Sequence, residues 1–127
     1  MNKNIVLTAS VFGVMAVILG AFGAHSLKES IGGNALDIWT KAVEYQFYHV
    51  FALLFLSNFP EQTRLTRLAH LFFSLGIVFF SGSLYILATR EIHHLQLASY
   101  IGPVTPIGGL FFILGWMMLF FTAAKKK

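Results

Sequence analysis

The chain has 127 residues, of which 57% are hydrophobic and 11% charged, with a formal net charge of +4, 14 phenylalanines and no cysteine. Soluble domains carry about 25% charge, so too little polar surface is present to cover a water-facing globule, and the natural solvent is a bilayer. The missing thiols exclude disulfides, thiolate metal sites, lipoprotein acylation and thiol catalysis.

A membrane-crossing helix needs about 20 mostly apolar residues, and windows of that kind fall at 5–24, 40–58, 68–88 and 106–123. The alternation over about ten residues that marks barrel strands is missing. The expected fold is therefore all-α: one polytopic membrane domain over 1–127, a four-transmembrane-helix bundle. In the first window, Lys3, a hydrophobic run and the small residues from Gly20 to Ala24 imitate a signal peptide. Because the chain reads from Met1, the segment is expected to be retained as a span. Ala9, Gly13, Ala16, Gly20 and Ala24 share one helix face, and small residues let helices approach closely in lipid. That face is expected to be the seam of the bundle.

Between the first two spans, Gly32-Gly33-Asn34 reads as a helix-stopping cluster and Asp37 as the cap of helix two. The third span carries Gly76 and Ser83 on one side, and Ser74, Ser81 and Tyr85 on another. For the fourth, Thr105 followed by Pro106 reads as an N-cap and a first-turn proline, after an extended or turned apolar segment. The free N–H groups of Ile107, Gly108 and Gly109 would then face the outer side, where a helix N-terminus can receive an anion or a carbonyl. An ordinary capped start beside a tight loop is the simpler alternative.

The N-terminus, the 58–67 loop and the C-terminal tail share one side and carry Lys3, Arg64, Arg67 and Lys125 to Lys127. The other side pairs Lys28, Lys41 and Arg90 with Glu29, Asp37, Glu44 and Glu91. Short-looped membrane proteins keep positive residues inside, so both termini are expected to be cytoplasmic in a multi-pass cell (inner) membrane protein. The basic charge then reports topology and contact with lipid headgroups, not nucleic acid.

The stretch VEYQFYHVFALLFL places Glu44, Tyr45, Gln46, Tyr48 and His49 inside the second window. Tyr45 and His49 share a face with Ala42 and Ala52, whereas Glu44 shares one with Lys41 and Tyr48. A carboxylate in hydrocarbon costs about 2.5–3.5 kcal/mol on insertion scales, and Lys41, His25 and Tyr85 are the partners within its reach. With Trp39 as an outer-interface marker, His25, Trp39, Glu44, Tyr45, Gln46, His49 and Tyr85 form a candidate ligand or proton site in the outer half. Thr105, Ile107, Gly108 and Gly109 form a second candidate at a helix N-terminus. The inner half offers little beyond Ser57, Asn58, His70 and Ser74.

The blocks GAFGAHSLKES, WTKAVEYQFYHVFALL, FSGSLY and GPVTPIGGLFFILGW resemble, in order and over nearly the whole chain, the domain-of-unknown-function 423 (UPF0382) family of small membrane proteins, similar to transmembrane protein 256. The resemblance implies a four-helix membrane protein of unestablished activity. It supplies no catalytic residue.

No cofactor or metal is expected, because His25 and His49 differ in depth by roughly 10–15 Å on the helix rise while one iron needs ligand nitrogens about 4 Å apart. His93 and His94 read as a solvated loop pair. Ser81 and Ser83 read as packing residues, since no nucleophile elbow or carboxylate pair accompanies them. A non-enzymatic binding or assembly module is therefore expected, its outer cluster holding a membrane lipid, a quinone or other small amphiphile, or a polar group of a partner protein. The alternative is a small transporter or proton-linked permeation unit working through Glu44 and His49, with a homo-oligomer supplying a pore.

Overall fold

The computed structural model describes residues 1–93 and 98–125, and every regular element among them is helical. His94 and the tail residues Lys126 and Lys127 lie outside the described residues. Helix α1 (Lys3–His25) starts where the Asn2 side chain accepts the Ile5 N–H at 3.2 Å. A short 3-10 turn at Leu27–Glu29 follows.

Helix α2 (Gly33–Leu56) begins earlier than the apolar pattern implies. Gly32 is its N-cap in an extended conformation, so the glycine cluster starts a helix instead of stopping one, and Asp37 is an exposed residue within it. The cause is tertiary: Leu27, Ile31, Trp39 and Ala88 bury one another in a small apolar cluster that anchors the first turns of α2. At the other end, the Asn2 N–H donates to the Ser57 carbonyl at 2.8 Å and ties the chain's start to the end of α2.

Helix α3 (Arg64–Gly76), a π-helical segment (Ile77–Ser81) and α4 (Gly82–Ala88) form one rod. Short helices α5 (Arg90–His93) and α6 (Ala98–Ile101) lead to α7 (Val104–Ala124). Thr105 is not the cap of α7. Pro103 occupies that place in a helical conformation, because the chain turns at Gly102 and Pro103 after the short α6 helix, the turned of the two forms expected for this segment. Pro106 still falls in the first turn, where a missing N–H costs no intrahelical bond. His93 is half-buried with its Nε2 3.1 Å from the Ile86 carbonyl, so it does not behave as a solvated loop residue.

Three helical stretches among the described residues are long and apolar enough to cross a membrane: Lys3–Glu29, Arg64–Ala88 and Val104–Ala124. Helix α2, at 24 residues, falls within their range of length but carries Asp37, Lys41, Glu44, Gln46 and His49. Helix α1 packs along α2, and α3 along α7, while the π segment and α4 close against α2.

The α1 seam buries Ala9, Ala16 and Gly23; Ala24 is exposed instead. A β-carbon at Gly23 would lie 2.5 Å from Trp39 Nε1, so the indole needs that glycine. Between α3 and α7 the fit is reciprocal. The Phe112 ring covers Gly76, and a β-carbon at Gly115 would stand 2.6 Å from Phe73 Cδ1. Gly108 meets the backbone of Phe80, inside the π segment. Gly115→Ala is therefore expected to destabilise the fold by about 1–3 kcal/mol through overpacking. Gly82→Ala, with open space around it, should be neutral or slightly stabilising on helix propensity. Thermal unfolding in detergent measures both, and equal midpoints for the two variants would refute the interlock.

Candidate functional site

The polar residues of α2 divide between the bundle interior and its edge. Gln46 is 2% exposed. Its Nε2 donates to the Phe12 carbonyl of α1 at 2.8 Å, and its Oε1 accepts the Tyr85 hydroxyl of α4 at 2.7 Å. Carbonyls only accept, so the amide has one satisfactory orientation. Trp39 lies one side of this pair. Its Nε1 donates to the Leu19 carbonyl at 2.9 Å, and its ring meets Tyr85 at a centroid distance of 4.7 Å. Ser81, fully buried, adds a bond from its Oγ to the Ala42 carbonyl at 2.8 Å. The structure thus brings Trp39, Gln46 and Tyr85 together.

His49 belongs to a neighbouring aromatic cage. Its ring stacks on Phe112 at 3.6 Å between centroids, 9° from parallel, with Phe73 and Trp116 at its sides. Nδ1 is 2.7 Å from the Tyr45 carbonyl, and Nε2 lies 3.1 Å from the Trp116 indole nitrogen. The carbonyl only accepts and the indole only donates. The Nδ1–H neutral tautomer satisfies both contacts at once. Tyr45 connects the cage to the π segment by packing against Phe80 at 4.8 Å.

Glu44 and His25 stand apart from these groups. His25 is exposed at the last turn of α1. Glu44 is 44% exposed and 3.9 Å from Lys41 Nζ, a loose pair. It borders a notch of about 250 Å³ formed by Gly20, Gly23, Ala24, Trp39, Thr40 and Val43. The start of α7 is closed by packing: Thr105 Oγ1 and Ser83 Oγ are 2.6 Å apart, Gly108 is buried on Phe80, Gly109 is half-buried and Ile107 points outward. No three metal-ligating side chains converge among the described residues.

The family model described as "Protein of unknown function (DUF423)" matches residues 19–109. The chain belongs to this family. Relatives cover nearly all of it: a UPF0382 membrane protein, SH2409, of Staphylococcus haemolyticus is 40% identical over 97% of each chain. YwdK of Bacillus subtilis, also named a UPF0382 membrane protein, is 36% identical over 97% of this chain and 98% of its own. The inner membrane protein YgdD of Escherichia coli is 36% identical over 99% and 93%. No solved structure matches. This DUF423 protein is accordingly an integral membrane protein, and the matched segment includes Trp39, Gln46, His49, Tyr85 and Thr105 while ending before Trp116.

Trp116 is the residue that the sequence pattern left unassigned. A tryptophan in the middle of a span, away from both interfaces where the residue usually sits, was the available signal that its N–H has an interior partner. Thr8 is the other: its hydroxyl lies 3.0 Å from His70 Nε2, a further cross-helix bond near the opposite end. The Tyr85–Gln46 bond is testable. Tyr85→Phe leaves Gln46 Oε1 without its donor and should lower stability by about 1 kcal/mol, whereas Tyr48→Phe, on an exposed ring, should leave it unchanged. Identical unfolding curves for wild type and Tyr85→Phe would show that the bond carries no stability.

Proposed function

We propose that α2 is a fourth membrane span and that the chain is a non-enzymatic binding or assembly module, with both termini cytoplasmic. The observation that carries it is the position of Glu44. It is the α2 carboxylate beside a lateral notch that it lines together with Gly20, about 8 Å from the end of α1 on the helix rise. A carboxylate at that depth is costly unless paired, and Lys41 pairs with it only at 3.9 Å. The notch leaves room beside it for an external group. That group carries a positive charge or a hydrogen-bond donor, as in a lipid headgroup, a hydroxylated quinone or a polar side chain of a partner membrane protein.

Support for binding over proton transport comes from the interior. Gln46, Tyr85, Trp39 and Ser81 have protein partners, and both His49 nitrogens are engaged. A relay needs groups free to exchange protons or water along a path. Towards the end that holds the start of α1 and the end of α7, the hydrophobic core is Ile5, Ala9, Leu53, Leu56, Ala69 and Phe73, and the buried hydroxyls of Ser57, Thr66 and Thr122 are bonded to nearby carbonyls. Glu44→Gln should therefore reduce retention of the copurifying lipid or partner while leaving the bundle folded. Proton flux into reconstituted vesicles should stay at the level of empty ones. A flux above that level that disappears in Glu44→Gln would reverse the proposal in favour of transport.

The topology has its own test. A cysteine introduced at Gly33 should react with an impermeant thiol reagent applied outside intact cells, and one at Gln62 should react only after the membrane is opened. The opposite pattern would invert the orientation.

A further inference from the structure

At the end of the bundle opposite the Glu44 notch, the 58–63 turn and the end of α7 border an open cavity of about 630 Å³. Its walls are of two kinds. Phe59 and Leu65 are apolar, whereas Arg64 and Lys125 bring two cations and Glu61 one carboxylate. Neither cation forms an ion pair or a side-chain hydrogen bond among the described residues, where Lys41 with Glu44 is the sole ion pair. The first turn of α3 opens on the same space. Thr63 Oγ1 accepts the Thr66 N–H at 3.3 Å, and the Arg64 and Leu65 N–H groups precede the first intrahelical acceptor. The positive end of the helix dipole therefore adds to the two side-chain charges.

We propose that this cavity is a binding site for the phosphate of an anionic phospholipid headgroup. The site is separate from the Glu44 notch and stands or falls independently of it. Charge complementarity selects an anion, since two cations and a helix N-terminus outweigh Glu61. The apolar wall formed by Phe59 and Leu65 selects an amphiphile over a fully hydrated ion, because covering that surface is favourable only for a group with a hydrocarbon portion. Arg64 can hold two phosphate oxygens through its planar fork, and Lys125 approaches from α7 as a point charge. A bound headgroup would then join the start of α3 to the end of α7, the two helices that pack along each other.

The experiment uses the full-length protein reconstituted in vesicles of phosphatidylglycerol mixed with phosphatidylcholine, then re-extracted and examined by native mass spectrometry for retained lipid. Phosphatidylglycerol should be retained in preference to phosphatidylcholine, and Arg64→Gln should lower its retention about fivefold, the scale of one basic contact at an anionic surface. Arg67→Gln and Arg90→Gln remove the same charge without lining the cavity and should have smaller effects. Leu65→Trp fills the space at constant charge and should also lower retention, which keeps the test decisive if Arg64→Gln fails to fold. Equal losses from Arg64→Gln and Arg67→Gln, together with full retention in Leu65→Trp, would overturn the site in favour of diffuse attraction. Displacement of the lipid by an equal concentration of glycerol 3-phosphate would overturn the lipid assignment and leave a soluble phosphate ester as the ligand.

Discussion

A primary amide buried between three helices must have its donor and its acceptor engaged at once, and Gln46 meets that condition through Phe12 on one side and Tyr85 on the other. In hydrocarbon no water replaces a lost partner, so the condition fixes distance, rotation and register together. Helix α1 must present the Phe12 carbonyl, and α4 must swing Tyr85 inward. Trp39 extends the same constraint one level outward by donating to Leu19 and packing on Tyr85. Apolar packing alone allows neighbouring registers, because lipid tails and leucine side chains are nearly equivalent partners. The amide does not.

The π segment follows from that register. Tyr85 and Ser81 must face α2 while Phe73 and Gly76, lower on the same rod, must face α7. An uninterrupted α-helix advances its faces at a fixed rate, and one wider turn changes the phase. Ile77–Ser81 makes that change, with the Ser83 hydroxyl donating to the Phe80 carbonyl at 2.8 Å. Gly108 lets α7 approach the Phe80 backbone at this level. Ser81 and Ser83, bonded to the Ala42 and Phe80 carbonyls, sit at this change of phase.

The membrane class, the helical architecture and the polar character of α2 were legible because they depend on composition and on runs of apolar residues. Helix boundaries were less so. Asp37 and Thr105 have the local chemistry of caps, yet burial of Ile31 and Trp39 extends α2 back to Gly33, and the Gly102-Pro103 turn starts α7 before Thr105. Spacing placed Tyr45 and His49 on one face and Glu44 on another, as the structure has them, but it could not say which groups meet across helices. That information lies in rotation about each axis, and Trp116 reaching His49 from another helix leaves no trace in local spacing.

The same residues bear differently on function once their partners are known. Intramembrane polar groups are functional candidates by default because their burial is expensive, and that argument weakens for each group whose burial is already compensated within the fold. Gln46, Tyr85, Trp39, Ser81 and His49 are compensated by neighbouring helices. Glu44 at the lateral notch and Arg64 with Lys125 at the opposite end are charged, accessible and weakly engaged or unengaged among the described residues. Under the binding proposal, recognition of outside molecules belongs to the margins of this bundle. The interior positions those margins: the bonds from Gln46 fix the register of α1 and α4 on α2, and the packing of Phe73 on Gly115 and of Phe112 on Gly76 holds α7 along α3.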